Sequence, residues 1–149
     1  MENALKAHAF TQGLTDAQID SLAAVAHEVT FEEGEVVLED GQRSTSFYLV
    51  VSGSVAVELR TPRYAICVQS LGEGNVFGWS SLLDRQDTLF QVRARERTRA
   101  LEIEGARLKE YCFRDSALGT ELLHRILHVV AGRVKATEVR FAEMCGVKV

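Results

Sequence analysis

Between His27 and Glu104 the apolar residues recur with a period of two and are interrupted at regular intervals by turn-forming pairs: Glu33-Gly34, Asp40-Gly41, Ser52-Gly53, Thr61-Pro62, Gly72 to Gly74, and Asp84 to Asp87. Val55, Val57 and Leu59 alternate with Ser54, Ala56 and Glu58. Tyr64, Ile66 and Val68 repeat the alternation beyond Pro62, so the two runs predict a half-buried antiparallel hairpin. About eight such short strands fit a jelly roll or a small barrel. Ahead of them, Thr15-Asp-Ala-Gln18 has capping-box spacing and Ile19, Leu22 and Val25 share a helical face, which predicts a helix from about residue 16 to 26.

After Glu104-Gly105 the period returns to that of a helix. A short helix is expected near Ala106 to Tyr111, and Asp115 or Ser116 can cap a long one reaching about Met144. The long helix carries two apolar stripes. Leu123, Leu127, Val130, Val134, Thr137, Phe141 and Met144 alternate steps of four and three, the seam of a two-stranded coiled coil, while Leu122, Ile126 and Val129 form a second face. Packing on one's own sheet needs a single stripe, so the pair predicts one face for the β domain and one for a second subunit, with one wide buried face as the alternative. The expected plan is one domain over residues 1–149, with an N-terminal helical segment at 1–26, a β-roll at 27–104 and C-terminal helices at 105–149. In class it is mainly β with flanking helices.

Composition narrows the function rather than the fold. With 46% hydrophobic and 26% charged residues, the chain can build a real core. A net charge of −4 gives no general attraction to nucleic acid or to an anionic membrane. No apolar run approaches the roughly 18 residues of a membrane span, and the polar start lacks the order of a secretory signal, so a cytoplasmic setting is expected. Cys67, Cys112 and Cys145 are odd in number and far apart, reading as buried or incidental thiols rather than a disulfide framework or zinc ribbon.

The candidate chemistry lies in Gly72 to Gln91. Gly72, Gly74 and Gly78 punctuate the strand pattern, and Ser80-Ser-Leu-Leu83 reads as a helical turn whose first N–H groups, those of Ser80 and Ser81, are expected to be unpaired and to suit an anion. Tight turns inside a β domain account for the same glycines.

Phe31-Glu-Glu-Gly-Glu-Val-Val-Leu-Glu-Asp-Gly41, Phe47-Tyr-Leu-Val-Val-Ser-Gly-Ser-Val-Ala-Val57 and Gly74-Asn-Val-Phe-Gly78 together resemble the cyclic nucleotide-binding domain of catabolite-activator-type regulators, over about residues 10 to 145. The resemblance implies an eight-stranded antiparallel β-roll of jelly-roll type, a long C-terminal dimerisation helix, and a cassette gripping the phosphate and ribose of cAMP or cGMP. Carried onto this chain, the cassette covers Phe77, Gly78, Trp79, Ser80, Ser81, Leu82, Thr88, Leu89, Phe90 and Gln91. The family's ribose-binding glutamate falls on Trp79 and its phosphate-binding arginine on Thr88. The proline before that arginine becomes Asp87, and the threonine after it becomes Gln91. Loss of one charged hydrogen bond, worth about 1.5–3 kcal/mol, weakens binding by roughly ten- to a hundredfold. Asp87 adds repulsion, and the indole of Trp79 is expected to fill the ribose space. Arg85 can swing in from its loop; Arg93, Arg95, Arg97 and Arg99 read as a solvated basic edge. Thr137 falls where some family members present a hydroxyl to the base across the dimer.

The function expected is therefore a non-catalytic, dimeric sensor binding a small anionic or aromatic ligand, or a cyclic nucleotide weakly. A ligand-free interaction module, or the sensor half of a larger transcriptional regulator, are the alternatives. Only Cys145 to Val149 follows the long helix, so no helix-turn-helix and no direct DNA binding are expected, and output passes through a protein partner of unknown kind. His124 and His128 form an i, i+4 pair without a third ligand by spacing, so no metal site is expected. No nucleophile-base or paired-carboxylate spacing suggests an enzyme.

Overall fold

Phe47-Tyr-Leu-Val50 shows how the molecule is layered, because alternate side chains of this one strand enter two different cores. The structure, a computed structural model, describes residues 1–83 and 90–148. Phe47 and Leu49 join a cluster with Leu5, Ile19, Leu22, Leu101, Ile103, Leu108, Leu118 and Leu122. Tyr48 and Val50 point the other way, into a cluster with Val55, Val57, Leu71, Phe77 and Val92. A strand buried on both faces reads as a continuous apolar run, as this one does.

The strands are β1 (Ala26–Phe31), β2 (Val36–Leu38), β3 (Ser46–Ser52), β4 (Ser54–Arg60), β5 (Ala65–Gly72), β6 (Val76–Phe77), β7 (Gln91–Ala94) and β8 (Thr98–Glu104). They form two antiparallel four-stranded sheets, β1-β8-β3-β6 and β2-β7-β4-β5. This is the jelly-roll arrangement expected; the small barrel is not what forms, since the described strands divide into two facing sheets. The hairpin at Pro62 is present, with Val55 and Val57 fully inside. Ala56 is buried too, and a register shift between Val57 and Glu58 interrupts the simple alternation. Tyr64 departs from the expected pattern: it lies before β5 and is 64% exposed, because the Thr61 carbonyl-side turn is closed by Thr61 N–H donating to the Tyr64 carbonyl at 2.8 Å. Gly53, between β3 and β4, has φ 89°, and a Cβ there would sit 2.7 Å from Thr98 Cα, so this turn abuts the start of β8.

The helices cover the outer face of the first sheet. Helix α2 (Asp16–Ala23) has the Thr15–Gln18 capping box, with both reciprocal hydrogen bonds made. It stops at Ala23 rather than near residue 26, because Ala26 already pairs with Ile103. Helix α3 (Gly105–Arg114) is longer than the short helix expected, and α4 (Ser116–Met144) begins with Asp115 accepting from Leu118 N–H at 3.2 Å. Leu118, Leu122 and Ile126 of α4 are buried against the helix-side core. On the other stripe Leu123, Leu127, Val134, Phe141 and Met144 are all more than half exposed, Thr137 is exposed and Val130 is half-buried. Cys67 and Cys145 are exposed, so only Cys112 fits the picture of a partly buried thiol.

An N-terminal strap, α1 (Glu2–Ala7) and a 3₁₀ turn (Ala9–Thr11), crosses the end of β3. His8 pins it: Nε2 donates to the Val50 carbonyl at 2.9 Å while Nδ1 accepts from Phe10 N–H at 3.1 Å, which fixes the neutral tautomer. Burial lowers the pKa of His8 from 6.5, outweighing the opposing hydrogen bond to Val50 and the charge of Glu73. The unfolded chain therefore takes up this proton first, and the stability His8 contributes is present above pH 6.5 and lost as the pH falls below it. Urea unfolding at pH 7.5 and pH 5 should show a larger acid loss for wild type than for His8→Gln; equal losses would remove His8 from the account.

Candidate ligand-binding site

Gly78 ends β6 with φ 82°, and its hydrogen side faces the backbone of Ser46 so closely that a Cβ would collide with the Ser46 carbonyl. The chain then folds into a 3₁₀ turn, Trp79–Leu82. This turn closes on itself at Ser81 and Leu83. Ser81 N–H donates to the Gly78 carbonyl at 3.0 Å, the Ser81 hydroxyl donates to the same oxygen at 2.7 Å, and Leu83 N–H donates to the Ser80 carbonyl at 3.0 Å. The expectation that Ser81 offers a free N–H to an anion is thus incorrect, and four residues of 3₁₀ turn make too short a helix to focus charge. Ser80 is buried. Trp79 is half-buried and packs, with Leu82, against the helix-side core rather than among the roll-interior residues. Thr88 and Leu89, with Arg85 and Asp87, lie outside the described residues.

Beyond the loop, Phe90 packs against the roll interior and Gln91 is 1% exposed. Gln91 Nε2 donates to Glu58 Oε1 at 2.7 Å, and Arg93 Nε lies 3.3 Å from the same carboxylate oxygen. Glu58 therefore neutralises Arg93, which is not the open cation a ligand phosphate would need. Arg95, Arg97 and Arg99 are exposed; the last two pair with Glu32 and Glu28 at 3.7 and 3.6 Å, a solvated basic edge as expected.

A further cation lies on α4. Arg133 lies over the Phe90 ring, 5.5 Å from guanidinium carbon to centroid, and burial lowers its pKa, though a guanidinium stays charged at any ordinary pH. No carboxylate among the described residues is in ion-pair range of it. It lines a cavity of about 340 Å³ with Phe10, Gln69, Asn75, His128 and Gly132, where the β5–β6 turn, the N-terminal strap and α4 meet. Gln69 Oε1 is buried there without a hydrogen-bond partner. Asn75 Oδ1 is occupied, accepting from Gly72 N–H at 2.8 Å and holding the turn closed. The cavity thus offers one partly desolvated positive donor and an apolar wall, with the orphan Gln69 acceptor buried behind its surface. A second hollow of about 340 Å³, lined by His8 and Glu73, lies across the shared Ala9 and Gly74. Thr137 is exposed, and its hydroxyl donates to the Arg133 carbonyl at 2.9 Å. Sequence reasoning missed Arg133, yet a signal existed: steps of four from the buried Leu122 and Ile126, then three to Val129, lead next to Arg133. An arginine on the buried stripe is the irregularity to look for.

The cyclic nucleotide-binding domain model matches residues 28–115, β1 to the cap of α4 and more than half of the chain. The chain belongs to the cyclic nucleotide-binding domain family. Among curated relatives, this domain is 30% identical over 120 residues to a provisionally named potassium channel protein of Rhodopseudomonas palustris, covering 80% of this chain and 28% of that protein. Among solved structures, it superposes with a TM-score of 0.77 on a provisionally named cyclic nucleotide-binding protein from Geobacter metallireducens, 28% identical, covering 89% of this chain and 97% of that one. The c-di-GMP responsive global regulator CLP of Xanthomonas campestris shares the fold at the same TM-score and 20% identity, covering 90% of this chain and 66% of that one. The domain spans between 8% and 63% of the length of the curated relatives it matches.

Gly78→Ala tests how far the cassette turn is fixed by backbone. A left-handed φ costs about 1–2 kcal/mol for a residue with a Cβ, and the clash with Ser46 adds to it. Thermal unfolding should shift down by several degrees; an unchanged midpoint would mean that the turn moves freely.

Proposed function

We propose that this domain is a non-catalytic regulatory sensor, working in the cytoplasm as a homodimer, whose ligand is a small anion with an apolar or aromatic body seated on Arg133. One observation carries the reading: a charged, partly desolvated guanidinium without a counter-ion among the described residues lines a cavity behind whose surface an unpartnered acceptor is buried. Isolating a charge from water is unfavourable, and an anionic ligand is what reverses that cost. Family membership favours a cyclic nucleotide as the ligand class. Trp79 and Thr88, at the positions of the family's ribose acceptor and phosphate cation, favour weak binding of cAMP and cGMP or a preference for another anion. A Xanthomonas regulator of this fold is named for its response to c-di-GMP, an example of the fold serving another nucleotide. The sensor half of a longer regulator or channel is compatible with the partial coverage of the relatives.

Titration of cAMP and cGMP, followed by amide chemical shifts, separates these readings. Wild type should bind with a dissociation constant beyond about 100 micromolar, with shifts around Gln69, His128 and Arg133. Arg133→Gln should weaken that by roughly tenfold or more, since a charge-assisted hydrogen bond is lost. Trp79→Glu with Thr88→Arg should tighten it, and neither change alone should suffice. No shifts at millimolar nucleotide in any of the proteins would favour the ligand-free interaction module instead.

Dimerisation rests on the stripe Leu123, Leu127, Val130, Val134, Thr137, Phe141 and Met144, which apart from the half-buried Val130 and the polar Thr137 is apolar surface that a lone chain leaves in water. Val134→Asp would place an unpaired charge in the seam at a cost of several kcal/mol. Light scattering should give a dimer for wild type at tens of micromolar and a monomer for the variant. A wild-type monomer at that concentration would end the dimer proposal.

A further inference from the structure

His124 and His128 stand one turn apart on α4, both exposed, with ring centroids 4.7 Å apart, planes at 83° and their Nε2 atoms 3.3 Å from each other. That separation is that of a long N–H···N hydrogen bond, and it also matches a chelate: two imidazole nitrogens, each about 2.0–2.1 Å from a tetrahedral zinc ion, lie about 3.3–3.4 Å apart. The spacing is a property of the helix, which places residues i and i+4 on one face, and it is the spacing by which helical histidine pairs hold zinc.

We propose that His124 and His128 form a binding site for a late first-row divalent cation, zinc or copper, at the mouth of the cavity that Arg133 lines. Imidazole nitrogen suits both ions. Among the described residues no third histidine, cysteine or carboxylate completes a cluster, so the remaining coordination positions belong to water or to an exogenous ligand. Two protein ligands are fewer than the four of a structural zinc site or the usual three of a catalytic one, which makes this a weaker, exchangeable site. Arg125, between the two histidines in sequence, does not oppose the ion: it donates to Glu121 at 3.0 and 3.1 Å and to the Phe10 carbonyl, which neutralises its charge and draws it toward the strap. His128 itself lines the cavity. A bound dication would therefore add positive charge to the wall that already carries Arg133, strengthening the hold on an anion.

The test uses untagged, metal-stripped protein titrated with zinc chloride in a non-coordinating buffer, and copper-loaded protein for electron paramagnetic resonance. Wild type should take up one zinc per chain. His124→Ala and His128→Ala, changes at exposed positions that leave the core untouched, should each weaken uptake by roughly tenfold or more. The copper spectrum should carry coupling from two imidazole nitrogens in wild type and from one in each variant. Absence of zinc uptake by wild type would overturn the proposal. So would uptake unaffected by both variants and lost on alkylating the exposed Cys67 and Cys145.

Discussion

Strand β3, inside the sheet β1-β8-β3-β6, has no solvent face. It must supply apolar side chains in both directions, and each direction then demands a cover: the second sheet on one side, the helices on the other. Phe47, Leu49, Leu101 and Ile103 face α2, α3 and α4, while Tyr48, Val50 and Phe77 close the interior with Val55, Val57 and Val92. Tyr48 stacks on Phe77 at 4.7 Å and meets Phe31 edge-on at 5.8 Å, which locks the short strand β6 to its neighbours just where Gly78 leaves the sheet. The cassette turn is thereby fixed by a core on each side of it.

That layering also explains why the candidate site lies at the roll–helix junction. Helix α4, 29 residues long, begins on the helix-side core and runs past it. Its second half touches the β domain through few side chains, among them Arg133 on Phe90 and Arg140, which donates to the Cys67 carbonyl at 3.2 Å. A guanidinium with no carboxylate partner among the described residues, at the point where packing thins, is a place where a ligand changes the balance of forces on the helix. In the proposed sensor the same helix presents its apolar seam on the adjoining face, so occupancy of the cavity and geometry of the dimer act on one rigid element. The differential affinity of the ligand for two positions of α4 would set the size of the response.

Much of the fold was legible in the residues. Gly and Pro mark the strand turns because only they adopt the turn backbones without strain, and Asp115 marks the start of α4 because its carboxylate caps the helix. The helical run toward residue 26 was misread at its end, because pairing of Ala26 with Ile103 outweighs local helix preference. The N-terminal strap was not legible in detail: its anchor, His8 on the Val50 carbonyl, spans 42 residues and leaves no periodic trace. The site was legible by position but not by chemistry. Family spacing located Gly78 and the turn after it, whereas the self-satisfied Ser81, the neutralised Arg93 and the stacking of Arg133 on Phe90 depend on which side chains meet in space.

The central claim is that Arg133, not the cassette, holds the negative charge of a ligand. Mass spectrometry of small molecules carried by the untagged protein, purified without nucleotide and compared with Arg133→Gln, tests it most directly. The account predicts a phosphate- or carboxylate-bearing molecule enriched with wild type and depleted with the variant. An uncharged molecule, or an anion retained equally by both proteins, would contradict it.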